Sequence, residues 1–119
     1  MLSSTRIADY ALDTRTHAIE IEGEIDLHAA PSMQERIDAV LERGKTRVIV
    51  DLSAVRYIDS TGLTVLLGAL KRLRRDGGAL ALVVTDYDIE RMLESTGLDG
   101  MFAVHRSRDE ALEHFGGTR

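Results

Sequence analysis

The side chains with the clearest chemical potential lie in the run Asp59-Ser60-Thr61-Gly62, which stands just before a leucine-rich stretch. A serine hydroxyl at the start of a helix can accept a hydrogen bond from a free backbone N–H of the first turn, which is a purely structural role. The same hydroxyl, when exposed to a kinase, can instead accept a phosphoryl group, which adds a charge of about −1.5 to −2. The run by itself leaves both roles open.

Catalytic and metal-binding chemistry finds little support elsewhere in the chain. Glu24 and Asp26 are spaced like a general acid and base, but the sequence has no companion nucleophile, glycine-rich phosphate loop or dinucleotide fingerprint. The four histidines are far apart and do not pair with carboxylates at metal-ligand spacing, and the chain has no cysteine. We therefore expect no enzyme activity, no metal site and no cofactor.

The strands that must position these residues are predicted from apolar spacing. Residues 19–22 alternate apolar and acidic side chains, which is typical of a half-buried strand, and weaker alternation over residues 6–12 predicts its hairpin partner. The β-branched run 48–50 predicts a buried central strand, with residues 52–59 as the connection to the next helix. Further strands are predicted at 79–84 and 101–104.

Four helices are predicted between and after these strands. The first begins at Pro31 and ends near Gly44; His28-Ala29-Ala30 before it offers no side-chain cap. The second begins near Ser60 and seats a leucine stripe at positions 63, 66, 67, 70 and 73 on the sheet. The third starts at the capping signal of residues 85–88, and the fourth covers 107–115. The order β, β, α, β, α, β, α, β, α predicts a small mixed α/β sheet with an antiparallel hairpin at one edge.

Composition and charge narrow the class of protein. A chain of 119 residues with 44% hydrophobic and 29% charged residues is expected to form one globular domain. The net charge of −5 disfavours direct nucleic-acid binding, although residues 45–76 hold seven bases and only three acids. No secretory signal pattern and no apolar run of roughly 20 residues is present. We therefore expect a cytoplasmic protein that makes no membrane contact.

Two signatures resemble a known family. The run Val-Ile-Val-Asp-Leu-Ser-Ala-Val-Arg-Tyr-Ile-Asp-Ser-Thr-Gly-Leu-Thr-Val-Leu-Leu at 48–67 resembles the core signature of the STAS domain family, specifically its single-domain anti-sigma factor antagonists. Gly23-Glu24-Ile25-Asp26 resembles the first signature of those proteins, and Gly97-Leu98 their closing portion. The resemblance covers about residues 5–115. It implies one STAS domain over 1–119, with a mixed sheet of four to five strands and about four helices packed mainly on one face.

The resemblance also implies a function. In that family the serine after the aspartate is phosphorylated by an anti-sigma factor that is itself a serine kinase, and the unphosphorylated antagonist binds this partner and so frees the sigma factor. When the family pattern is applied to this sequence, Ser60 is the phosphorylation site and Thr61 is its neighbour. Asp59 precedes Ser60, and Asp26 lies near it and contributes to partner contact. We expect a monomer or weak homodimer.

Apart from its two aspartates, the expected contact surface around Ser60 consists of small or neutral residues, with Val65 turned away from the leucine stripe. Its members are Asp26, Asp59, Ser60, Thr61, Gly62, Thr64, Val65 and Gly68. Phosphate there would bring desolvation and like-charge repulsion into the interface, with little change of fold. The alternative is a STAS-domain structural subunit of a signalling assembly or lipid-transport complex without a phospho-switch. An enzyme that uses Asp26 or Asp59 ranks last.

Overall fold

The computed structural model describes residues 5–115 and confirms the predicted order of strands and helices in this range. The elements are β1 (Arg6–Ala11), β2 (Thr16–Ile25), α1 (Ala30–Glu42), β3 (Arg47–Ile58), α2 (Ser60–Arg75), β4 (Ala79–Val83), α3 (Tyr87–Ser95), a 3-10 turn (Leu98–Gly100), β5 (Ala103–His105) and α4 (Arg108–His114). No helix in the described range is long and apolar enough to cross a membrane.

The sheet has the strand order β1-β2-β3-β4-β5, with β1 antiparallel to β2 and all other neighbours parallel. Each parallel strand lies beside the one before it, so right-handed crossovers all place their helices on the same face. Residues of α1, α2 and α3 accordingly share one core with β2, β3 and β4. Helix α4 follows the last strand and packs Ala111 against Ile49, Ala81 and Val83 on the other face. The predicted arrangement of helices mainly on one face is confirmed.

Strand β3 is much longer than predicted, because residues 52–58 are strand and not connection. Its pairing with β4 ends at Asp51 opposite Val83, whereas its pairing with β2 continues to Ile58 opposite Ile25. Residues 53–54 and 56–57 are two pairs of consecutive exposed residues, so buried and exposed side chains do not alternate here. A period-2 pattern therefore does not predict this part of the strand. Register shifts in the β2–β3 ladder accompany these pairs. As a result, β3 projects past β4 and carries the start of α2 to the end of the sheet.

An ion pair fastens α4 to the sheet. The Asp51 carboxylate is almost fully buried and accepts hydrogen bonds from the Ser53 amide and hydroxyl and from Arg108 Nε at 3.0 Å. Arg108 also pairs with Glu20 and lies 4.9 Å from the centroid of the Tyr10 ring. Burial disfavours the charge of Arg108, but its interactions with Asp51 and Tyr10 together outweigh burial and raise the pKa of the guanidinium.

Replacing Arg108 by alanine is expected to lower the free energy of unfolding by about 1–3 kcal/mol, because Asp51 keeps a buried charge without its cation. Arg106→Ala is the matched control. Arg106 also pairs with a carboxylate, that of Glu90, but its side chain is 67% exposed, and such a pair contributes at most about 1 kcal/mol. Urea unfolding of both variants measures the difference. An equal loss of unfolding free energy in the two variants would contradict a specific role for the buried pair.

Candidate functional site

The loops after β2 and β3 lie side by side at the carboxyl-terminal end of the sheet, because the two strands are parallel neighbours that pair up to their last residues. Strand β4 ends earlier, opposite Asp51, and the Thr85 hydroxyl in the loop after it donates to the Ser53 carbonyl at 3.2 Å. Asp26 follows Ile25 and Asp59 follows Ile58, and the two isoleucines are register partners. The Asp59 amide donates to the Ile25 carbonyl at 3.0 Å. Adjacent strands are about 4.8 Å apart. Asp26 and Asp59 therefore start neighbouring loops, next to Ser60.

Ser60 is free of the structural role that its position allows. The N-cap of α2 is Asp59, whose extended backbone lets Oδ1 accept a hydrogen bond from the Gly62 amide at 3.1 Å. Ser60 is the first residue of the helix and is exposed, and its hydroxyl has no hydrogen-bond partner within residues 5–115. Since Asp59 fills the capping role, the Ser60 hydroxyl is available for another reaction.

Each of the three loops contains an aspartate that holds the start of a helix. Asp26 Oδ1 accepts hydrogen bonds from the amides of His28 and Ala29, both at 3.0 Å. Side-chain capping is absent at the N-cap Ala29, as expected, but Asp26 orders the loop before it. Asp86 Oδ1 likewise accepts from two amides at the start of α3.

We call Asp26 and Asp59 the acidic rim. Neither forms a salt bridge within the described part of the chain. Asp86, which sequence reasoning assigned to a helix start, lies outside the rim, because β4 pairs with β3 only as far as Asp51 whereas β3 continues to Ile58.

The outer face of α2 next to the rim is small and uncharged. Ser60, Thr64 and Gly68 are four residues apart and all exposed, so they form one stripe along the helix. The Thr64 hydroxyl donates to the Ser60 carbonyl at 2.8 Å, so it is turned back along the helix. A Cβ added at Gly68 would meet no atom within 4 Å. We call Ser60, Thr64 and Gly68 the small-residue face; Thr61, which is half-buried, lies at its margin.

Two residues of the expected contact surface face the core instead. Val65 is only 9% exposed and packs in the main hydrophobic core, so the prediction that it faces outward is wrong. The reason is helical periodicity: Val65 adjoins Leu66 and is four residues from Ala69, both of which face the sheet. Gly62 is also buried, and a Cβ there would lie 2.6 Å from Ile25 Cγ2. Gly62 therefore serves the packing of α2 on the sheet.

A large apolar side chain also stands at this end of the sheet, and the sequence pattern did not single it out. Leu27, in the loop after β2, is 65% exposed. The only sequence signal for Leu27 is a large apolar residue directly after the acidic signature Gly23-Glu24-Ile25-Asp26, outside any periodic stripe.

Comparison with known proteins decides the family. The model of the STAS domain family matches residues 10–111, which include the rim, the small-residue face and the elements that carry them. The chain belongs to the STAS domain family. This STAS domain is similar to the anti-sigma-B factor antagonist of Bacillus subtilis (strain 168), with 38% identity over 95 residues that cover 80% of this chain and 86% of that protein.

Solved structures agree on the fold of this STAS domain. An anti-sigma factor antagonist from Mycobacterium paratuberculosis is 29% identical, with a TM-score of 0.86 over 95% of this chain and 97% of that one. The Bacillus cell fate determinant SpoIIAA shares the fold at 20% identity in its unphosphorylated form, with a TM-score of 0.74 over 94% and 99% of the two chains. The phosphorylated form of SpoIIAA is 21% identical, with a TM-score of 0.73 over 92% of this chain and 99% of that one.

Proposed function

We propose that this STAS domain is an anti-sigma factor antagonist, switched off by phosphorylation of Ser60. In the unmodified state it binds an anti-sigma factor through the small-residue face and the acidic rim, and the sigma factor is released. The partner is also the serine kinase that modifies Ser60, and the process takes place in the cytoplasm. The observation that carries the proposal is the exposed Ser60 hydroxyl, which makes no hydrogen bond within the described residues, where Asp59 caps the helix in its place.

The relatives support the general class. The names of the Bacillus subtilis and Mycobacterium paratuberculosis proteins describe antagonists of another protein, which is a regulatory binding role and not an enzymatic one. The prediction that the chain is not an enzyme agrees with this class.

Charge and desolvation explain how one phosphate can act as a switch. The small-residue face lets a partner approach the α2 backbone closely, so a phosphate there has to be buried in the interface. It would add about −1.5 to −2 charges beside Asp26 and Asp59, neither of which forms a salt bridge within the described chain. A loss of about 3 kcal/mol weakens binding by more than a hundredfold.

The free protein is expected to accept the phosphate without a change of fold. The first turn of α2 carries backbone N–H groups and the positive end of the helix dipole, both of which favour an anion. The two forms of SpoIIAA also match this chain almost equally well, with TM-scores of 0.74 and 0.73. The proposed switch therefore acts by blocking the contact surface.

Phosphate mapping tests the site. The protein is incubated with its candidate kinase and ATP, and modified residues are located by mass spectrometry. We expect phosphate on Ser60, none at this position in Ser60→Ala, and undiminished modification in the control Thr61→Ala. Phosphate on another residue and not on Ser60 would overturn the site. A protein that binds the partner but is never phosphorylated would favour the structural-subunit alternative.

A further inference from the structure

The outward stripe of α2 that carries Ser60 does not end at the small-residue face. At 3.6 residues per turn, positions 60, 64, 68, 71 and 75 lie within about 80° of the helix circumference. All five residues are exposed. Lys71 and Arg75 therefore continue the same stripe to the carboxyl end of α2. We call these two residues the cationic end.

The charges of the cationic end are not used within the described fold. Two other bases of the same turns are used, because Arg72 pairs with Asp38 and Arg74 donates to a backbone carbonyl at 2.9 Å. The side chains of the cationic end form no hydrogen bond and no salt bridge within residues 5–115. The helix dipole favours cations at this position, and it leaves their charges available to a partner.

The size of a protein interface decides whether the cationic end is covered. A stable interface buries about 800 Å² of each partner, which corresponds to roughly 30 Å across for a round footprint. At a rise of 1.5 Å per residue, Lys71 lies about 17 Å from Ser60 along α2 and about 5 Å from Gly68. A partner centred on the small-residue face therefore extends over Lys71 and has Arg75 at its margin.

We propose that the cationic end binds an acidic segment of the same anti-sigma factor whose surface covers Ser60. This inference rests on the proposed function and deepens it. A cation that a partner covers loses part of its hydration, and a carboxylate of the partner offsets that cost. The acidic rim stands at the other end of the stripe, next to Ser60, so the two ends differ in charge. This difference fixes the direction in which the partner lies along α2, because a reversed partner would bring like charges together.

The cationic end and the phosphorylation site are expected to act independently. Lys71 and Ser60 are more than about 15 Å apart along α2, whereas physiological salt screens exposed charges beyond about 8 Å. The cations therefore do not neutralise a phosphate on Ser60. Removing them should weaken binding while leaving the ratio between the Kd values of the Ser60→Ala and Ser60→Glu forms nearly unchanged.

Titration calorimetry against the anti-sigma factor tests the cationic end. At about 0.1 M ionic strength, Lys71→Glu is expected to raise Kd by at least about tenfold in both Ser60 backgrounds, and Arg75→Glu, at the margin, by about threefold. Lys71→Gln, which removes the charge without reversing it, should lie between the wild type and Lys71→Glu. At about 1 M salt, where screening begins at about 3 Å, the tenfold effect should fall below about threefold.

The matched control is Arg6→Glu, which makes the same change of charge at another exposed base. Arg6 forms no salt bridge within the described chain. It faces the opposite side of the sheet from α2, because the next residue of β1, Ile7, packs against the core that α2 shares. Arg6→Glu should change Kd by less than about twofold. Thermal unfolding verifies that each variant is folded.

The possible outcomes separate the two proposals. Wild-type affinity in folded Lys71→Glu would overturn the role of the cationic end and leave the proposed function in place. An equal loss of affinity in Arg6→Glu would also overturn that role, because the effect would follow net charge. Sedimentation of the protein alone tests a second copy as the occupant, and a dimer that Lys71→Glu dissociates without changing the affinity for the anti-sigma factor would overturn it too. A wild-type protein that binds no anti-sigma factor would overturn the proposed function itself.

Discussion

Ser60→Glu is expected to bind the anti-sigma factor about tenfold to a hundredfold more weakly than the unmodified protein, whereas Ser60→Ala should bind as tightly. Glutamate places one charge where phosphate places about −1.5 to −2, so its effect is the smaller of the two. The charge lies on the small-residue face beside Asp59 and near Asp26. Alanine removes only a hydroxyl that has no hydrogen bond within the described chain.

The control is Ser95→Glu, which adds the same charge to another exposed serine. Ser95 is the last residue of α3, and its hydroxyl donates only to the Met92 carbonyl. Because α3 starts at the carboxyl edge of the sheet, its last residue lies away from the rim, and the Kd should change by less than about twofold. Titration calorimetry compares the three variants. Equal affinities of Ser60→Ala and Ser60→Glu would reject the blocking mechanism.

Gly62→Ala is expected to lower the free energy of unfolding by about 1–3 kcal/mol through overpacking. The added Cβ would lie 2.6 Å from Ile25 Cγ2 and 2.8 Å from Ile58 Cγ1. Both atoms are bonded directly to the Cβ of buried residues in the paired ends of β2 and β3, so they can move away only by a change of χ1 within the packed core or by a shift of the strands. The glycine of the Asp-Ser-Thr-Gly run is thus explained by packing of α2 on the sheet.

Gly68→Ala is the matched control in the same helix. A Cβ at Gly68 would meet no atom within 4 Å, and the residue is exposed. Alanine is favoured over glycine in a helix interior, so this variant should gain about 0.5–1 kcal/mol. Urea unfolding of both variants checks the contrast. A Gly62→Ala protein as stable as Gly68→Ala would show that α2 can shift outward freely, which contradicts this account.

The secondary structure was largely predictable because its signals are local. Apolar residues at helical spacing marked α1 and α2, alternating apolar and acidic residues marked β2, and a short apolar run marked β4. Periodicity did not predict the second half of β3, because pairs of consecutive exposed residues follow the continuously buried first half of the strand. Asp59 and Ser60 are both good N-cap residues, so residue type alone could not assign the cap. The backbone decides it, because Asp59 is extended while Ser60 is already helical.

The composition of the site was predictable only in part, because it depends on contacts across the sheet. Ser60 and Asp59 adjoin in sequence, and Asp26 was inferred from the family resemblance. Strand register keeps the loop of Asp86 away from this site, because β4 ends opposite Asp51. The exposure of Leu27 depends on what surrounds its loop, and no periodic pattern reports it. Whether the chain is a monomer or a weak homodimer stays a prediction.

The most direct test of the account is a calorimetric titration of the anti-sigma factor with the unmodified protein and with protein phosphorylated only at Ser60. Thermal unfolding of the phosphorylated form serves as the check that its fold is retained. We predict that the unmodified protein binds and that the phosphorylated protein binds roughly a hundredfold or more weakly, corresponding to about 3 kcal/mol. Equal affinity of the two folded forms would contradict the proposed switch.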